Sequence, residues 1–207
     1  RCDKPVTGKA GNGELNLYEY KRQLLQSYKP VPGPRGSIGI PLCLNLWELL
    51  PFWHTFFTKL GFAVHTSPVS TRGLYLAGQA TIPSDTACFP AKLAHGHIKA
   101  LSQMKLDAIF YPCLTYNLDE GLGENHYNCP VVAYYPEVIA GNCPELESTT
   151  FIYDYVGIHR PKDFVGKMTG ILAKYFAGIK KGEVQAAADY VGDSFALAKL
   201  AVDLPQQ

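Results

Sequence analysis

The 207-residue chain is 47% hydrophobic, 12% aromatic and 18% charged, enough apolar material for one domain, or one domain with a helical extension. A formal net charge of +1 gives no clustered basic face, so nucleic acid is not an expected partner. No run of about 18 apolar residues occurs, so no membrane-spanning helix is expected.

The chain opens Arg1-Cys2, without a methionine or a signal-like apolar run, and reads as a cytoplasmic piece of something longer. Residues 1–36 form an arm and linker rich in Gly, Pro and Lys, in which only Leu15 to Tyr28 has the apolar content for a short helix or an extended arm. Residues 37–155 form the expected core. Ser37-Ile-Gly-Ile-Pro41 reads as a buried strand. Leu46, Leu49, Leu50, Trp53, Phe57 and Leu60 then recur at helical spacing, with Pro51 placed in the first turn and Gly61 as the stop. Phe62-Ala-Val-His65 follows as a second strand, which completes a βαβ unit with a right-handed crossover.

The pattern repeats more loosely. Pro90 to Lys105 reads as a helix, for which Ser84 and Asp85 are the N-cap candidates, and Asp107 to Tyr111 as a third strand. Pro130-Val-Val-Ala133 reads as a fourth strand, followed by a helical turn over 136–140, and Thr149 to Tyr153 as a fifth. Residues 156–207 carry two helical stripes, one through Phe164, Met168, Leu172 and Tyr175, the other through Val184, Ala187, Val191 and Phe195, separated at Lys181-Gly182. The fold class is therefore α/β: an open, parallel, Rossmann-like sheet of about four to five strands with a C-terminal helical hairpin.

Four of the six cysteines, Cys88, Cys113, Cys129 and Cys143, sit next to or within two residues of a proline in short polar turns. A stiff loop is a common way to present sulfur to a metal, which makes soft-metal ligation one reading. Buried, inert thiols are the other, since free cysteine often packs as a small hydrophobe. No close Cys-x-x-Cys pair supports a zinc ribbon or a ferredoxin run. Cys88 precedes a helix, where negative charge is favoured, and Lys92 lies one turn on. His95 and His97 are two apart on a helix and point to different faces, so they are not a chelating pair, and His97 shares the apolar face as a core residue. A cysteine nucleophile, Cys88 or Cys113 activated by His126, is a third reading without a protease-like context. The polar run Glu124 to Cys129, with His126 and Asn128, offers hydrogen bonds to a cluster or a ligand. No phosphate-binding glycine motif is present.

Taken together, Ile38-Gly-Ile-Pro41, Leu44-Asn45, Pro51-Phe-Trp-His-Thr-Phe-Phe57, Ile82-Pro-Ser-Asp85, Cys88-Phe-Pro-Ala-Lys-Leu93, His95-Gly-His97, Phe110-Tyr-Pro-Cys113 and Asn125-His-Tyr-Asn-Cys-Pro130 make a specific pattern. It resembles the domain of unknown function in the large CoA-substrate-specific enzyme activase-related proteins of anaerobic bacteria. Those proteins look like fusions of the activator of 2-hydroxyacyl-CoA dehydratases with dehydratase-like regions. The resemblance implies an iron–sulfur cluster, of the 4Fe–4S kind, in low-potential electron transfer from an ATP-driven activator toward an acyl-CoA dehydration or reduction. It implies Cys88, Cys113 and Cys129 as ligands with Cys2 as a fourth, and Lys92, His126 and Asn128 around the cofactor. The implied partners are the activator ATPase region or subunit, and a CoA ester. Leu42 stands where the family often has arginine, and Cys43 where it has a plain apolar residue, which marks Cys43 as a core thiol. The activator's ATP-binding motif is missing, so the chain is not an ATPase by itself. The competing expectation is a structural or docking module with buried, reduced cysteines that binds the activator or a CoA ester.

Overall fold

The structure, a computed structural model, describes residues 16–117 and 123–202, the stretch 193–202 by backbone alone. Helix α1 (Leu17–Ser27) starts at Asn16, whose side chain accepts from the Tyr18 and Glu19 amides, and inserts Leu25 into the core. The linker after it docks: the His54 ring reaches the Lys29 carbonyl at 3.1 Å, and the Arg35 amide donates to the Gly61 carbonyl at 3.0 Å. Gly33 is required here, because a Cβ would lie 2.2 Å from the Gly61 carbonyl oxygen.

Four strands, β1 (Ser37–Ile40), β2 (Ala63–Thr66), β3 (Ala108–Phe110) and β4 (Thr150–Ile152), form one parallel sheet in the order β2-β1-β3-β4. The open parallel α/β class expected from the sequence is what forms. Helix α2 (Leu46–Lys59) joins β1 to β2, and its apolar stripe Leu46, Leu49, Leu50, Trp53, Phe56 and Phe57 is buried. The Phe110 ring of β3 packs on α2, 4.7 Å from Trp53 and 4.8 Å from Phe57. Gly39 of β1, whose partner is the neighbouring Ile109, faces the other way: a Cβ there would meet Leu101 and Leu106. Leu101 belongs to α4 (Phe89–Ser102), so α2 and α4 cover opposite faces and the strand order reverses between β1 and β3.

Short helix α3 (Arg72–Gly78), capped by the Thr71 hydroxyl, packs on α4. Helix α5 (Pro130–Asn142) joins β3 to β4 beside α4. Helices α6 (Pro161–Tyr175) and α7 (Lys181–Val202) close the chain and join the same hydrophobic core from the α2 side. Phe164 of α6 lies 5.5 to 6.1 Å from the rings of Phe52, Trp53 and Phe56.

Three expectations are corrected. Pro130-Val-Val-Ala133 is the first turn of α5 and not a strand, because Pro130 occupies the position where its missing N–H is no loss, and Cys129 stands before it as the N-cap. The β-branched pair suggested a strand that tertiary packing overrides. Pro51 lies inside α2 and not in its first turn; burial of Leu46, Leu49 and Leu50 before it and of Trp53, Phe56 and Phe57 after it holds the helix through the lost hydrogen bond. Ser84 and Asp85 do not cap α4. Cys88 is the N-cap residue, Ser84 accepts from the Thr86 amide, and the Asp85 carbonyl accepts from Lys92.

Helices α3 and α4 touch through glycine. A Cβ on Gly96 would lie 2.1 Å from the Leu74 carbonyl oxygen, and one on Gly78 would lie 2.2 Å from the Gly96 amide. Gly96→Ala is expected to force the helices apart and lower stability by about 1–3 kcal/mol. Gly170→Ala, on α6 with nothing within 4 Å, is expected to be neutral or stabilising by about 0.5–1 kcal/mol. Urea unfolding of both variants checks the pair, and equal midpoints would refute the close contact.

Candidate functional site

In open parallel sheets ligands meet the carboxyl ends of the strands, and the first place to look is the reversal between β1 and β3. The loops leaving these strands, Pro41 to Asn45 and Tyr111 to Asn117, carry Cys43, Tyr111 and Cys113. All three are buried, so the crevice is filled by the protein's own side chains. Leu44 adopts a left-handed backbone with φ 49°, a strained conformation for a leucine, in turning from β1 into α2. Burial pushes the Cys43 thiol up to about 12. Burial, then the Glu137 carboxylate, pushes Cys113 up to about 12. Both are protonated thiols at neutral pH. The Tyr111 phenol, raised well above its ordinary range by burial first and by Cys43 next, sits against that thiol without a well-aligned hydrogen bond.

Around this plug runs a buried polar seam. The Thr81 hydroxyl donates its one proton to the Gly78 carbonyl at 3.0 Å, so at 2.8 Å it accepts from His95 Nδ1–H. That leaves His95 Nε2 to accept from the Tyr135 hydroxyl at 3.0 Å, while the Cys143 sulfur lies 3.5 Å from Nδ1. Tyr135 is pushed up to about 12 by burial, with the Cys88, Cys143 and Cys43 sulfurs as its charged-state neighbours. The Ser67 hydroxyl accepts from the Leu42 amide at 2.7 Å and hydrogen-bonds His97 Nδ1 at 2.7 Å, while His97 Nε2 hydrogen-bonds the Ser70 hydroxyl at 2.9 Å. Both nitrogens of both histidines are occupied by protein, which bears out the reading of His97 as a satisfied core residue.

The sulfurs divide by environment. Cys43, Cys113 and Cys143 are buried; Cys88 and Cys129 are exposed at the starts of α4 and α5, neither giving its side chain to a cap. Cys2 lies outside the described residues. Among the described residues no three Cys, His, Asp or Glu side chains are grouped to hold a metal ion, so the donor set found here does not by itself fit a cluster. Lys92 spends its ammonium on the Asp85 carbonyl at 2.7 Å. Asn128 staples a loop, its amide side chain donating to the Leu114 carbonyl at 2.8 Å and its backbone N–H to Thr115 at 3.0 Å. The His126 ring lies 5.8 Å from that of Tyr116 in the same loop.

That loop forms a wall of an open cleft of about 410 Å³ beyond the carboxyl ends of β3 and β4. Tyr116 and Tyr127 pair as an antiparallel bridge with rings 4.7 Å apart, and Tyr116 lies 4.6 Å from the His159 ring. The opposite side is the start of α6, with Arg160, Asp163 and Lys167. Sequence reasoning missed it, because its residues come from three segments that share no spacing. A second hollow, lined by Cys143, Pro144, Phe151 and Tyr153, lies beside the open edge of β4.

The family model described as the CoA enzyme activase uncharacterised domain matches residues 37–196. No curated protein and no solved structure matches the chain.

Two measurements test this site. His95 and His97 are both held down to about 4 by burial, below the value of about 6.5 they take when unfolded. Their contribution is complete above pH 6.5 and is lost as pH falls toward 4; stability is expected to drop by on the order of 2 kcal/mol per histidine between pH 7.5 and pH 5. Urea unfolding at the two pH values checks this, and a flat profile refutes neutral burial. Iodoacetamide at neutral pH is expected to label Cys88 and Cys129 in the native protein, and Cys43, Cys113 and Cys143 only after unfolding, as read by peptide mass mapping.

Proposed function

The chain belongs to the CoA enzyme activase uncharacterised-domain family, and from that premise we propose that it is a non-catalytic binding module of a CoA-enzyme activase system. In this reading it docks with the activator or with the enzyme being activated, and takes its ligand at the carboxyl edge of the sheet. Its buried cysteines, Cys43, Cys113 and Cys143, stay reduced and serve packing. The observation that carries the reading is the contrast between two regions. The strand-order reversal is sealed by protonated thiols and a phenol, whereas the cleft beside β4 is open and lined with polar groups.

A second reading is favoured by the exposure of Cys88 and Cys129. Each stands bare at the start of a helix, where a partner surface can reach it. Under that reading these two sulfurs, with Cys113 and Cys2, ligate an iron–sulfur cluster used in low-potential electron transfer, completed by residues outside the described ones.

Anaerobic reconstitution with iron and sulfide separates the two. The binding-module reading expects substoichiometric iron and identical visible spectra for the native chain and a Cys88→Ala, Cys113→Ala, Cys129→Ala variant. Stoichiometric iron that the triple variant loses would overturn it in favour of the cluster.

A further inference from the structure

Lys21, Arg22, Arg35, Lys99 and Lys174 close ion pairs with acids. Arg160 and Lys167 form none among the described residues, and both lie exposed on the cleft, Arg160 just before α6 and Lys167 in its second turn. Arg160 gives that helix no side-chain cap, so the partial positive charge of the helix start lies beside its guanidinium. Among the described lining residues, Asp163 is the one acid beside these two cations. His159 is held below its ordinary value, by burial first and then by the Arg160 charge, and its Nδ1 is buried without a hydrogen-bond partner among the described residues.

Facing these cations is an aromatic wall. Tyr127 is 72% exposed, and its ring packs nearly perpendicular to that of Tyr116 at 4.7 Å. The Tyr155 ring, also on the cleft, is held by the hydrogen bond its hydroxyl donates to Glu137 at 2.7 Å. The Tyr116–Tyr127 bridge and the Asn128 staple order the backbone of this wall, which lowers the cost of ordering it on binding. Rings that present a face attract planar π-systems, and paired cations beside a helix start attract phosphate.

We propose that this cleft binds a nucleotide diphosphate, its base against Tyr116 and Tyr127 and its phosphates at Arg160 and Lys167. The inference deepens the binding-module reading and rests on it. The same chemistry is carried by a free nucleotide such as ADP and by the nucleotide end of a CoA thioester, and the experiment tells these sources apart.

Isothermal titration of the whole chain with ADP, CoA, adenosine and pyrophosphate is the test. Saturable binding of ADP or CoA is expected, with adenosine and pyrophosphate each at least tenfold weaker. Arg160→Gln with Lys167→Gln is expected to weaken binding about tenfold or more and to flatten its salt dependence. Tyr127→Ala is expected to weaken it at least about fivefold. All three positions are exposed, so far-ultraviolet circular dichroism is expected to be unchanged. CoA binding tighter than ADP assigns the site to the thioester; equal affinity, or tighter ADP, assigns it to the diphosphate nucleotide itself. Pyrophosphate binding as well as ADP overturns the aromatic half, and adenosine binding as well as ADP overturns the phosphate half. No saturable binding of any probe, or affinity unmoved by the variants, overturns the proposal. If iron is absent as well, the binding-module reading survives that failure; stoichiometric iron on the cysteines removes the reading itself, whatever the titration gives.

Discussion

The position of the cleft depends on one aromatic contact, the insertion of Phe164 between the rings of α2. Phe164 belongs to the first turn of α6 and lies 5.5 Å from Phe56, 5.7 Å from Phe52 and 6.1 Å from Trp53. Trp53 in turn stacks edgewise on Phe110 at the end of β3. Rings packed this closely have few alternative arrangements, since core density leaves no slack for a shift. The start of α6 is thereby locked to the carboxyl end of the sheet, and Arg160 and His159, immediately before it, are delivered to one place. Phe164 itself lines the cleft floor.

The doubly wound sheet has an ordinary ligand position, and here it is occupied from within. Cys43, Tyr111 and Cys113 fill the reversal between β1 and β3, and the His95 and His97 networks tie the flanking segments to α4. Burying this polar chemistry is tolerable because both nitrogens of each histidine find partners. The Tyr111 hydroxyl, against the Cys43 thiol without a well-aligned hydrogen bond, shows where packing of the ring outweighs that loss. The open cleft lies one strand over, at the loops after β3 and β4.

The cysteine-proline pattern illustrates how one motif supports unlike outcomes. Cys-Phe-Pro at 88 and Cys-Pro at 129 are helix starts with exposed sulfur, whereas Pro-Cys at 112–113 continues a strand end into the core. Proline stiffens all three positions, yet the direction of each thiol follows from the element it adjoins. Spacing along the chain carries no information about that direction. The same blindness turned the Val131-Val132 pair into an expected strand, where Pro130 at the head of a helix was the better guide.

Local chemistry decided much of this protein. The 3.6-residue stripe of α2, the β1 and β2 runs either side of it, the Gly61 stop and the two terminal helices are all written in periodicities that short-range sterics and burial enforce, and the long motifs carry the family. What only tertiary structure decided are relations between distant segments. The glycine contact of α3 with α4 requires Gly78 and Gly96 to meet, and the hydrogen bonds that hold the rings of His95 and His97 come from partners up to 40 residues away. The cleft gathers Tyr116, Tyr127, Tyr155 and Lys167 from separate turns. Such proximity arises when the chain closes its loops around one core, and no local pattern of residues records which ends will meet.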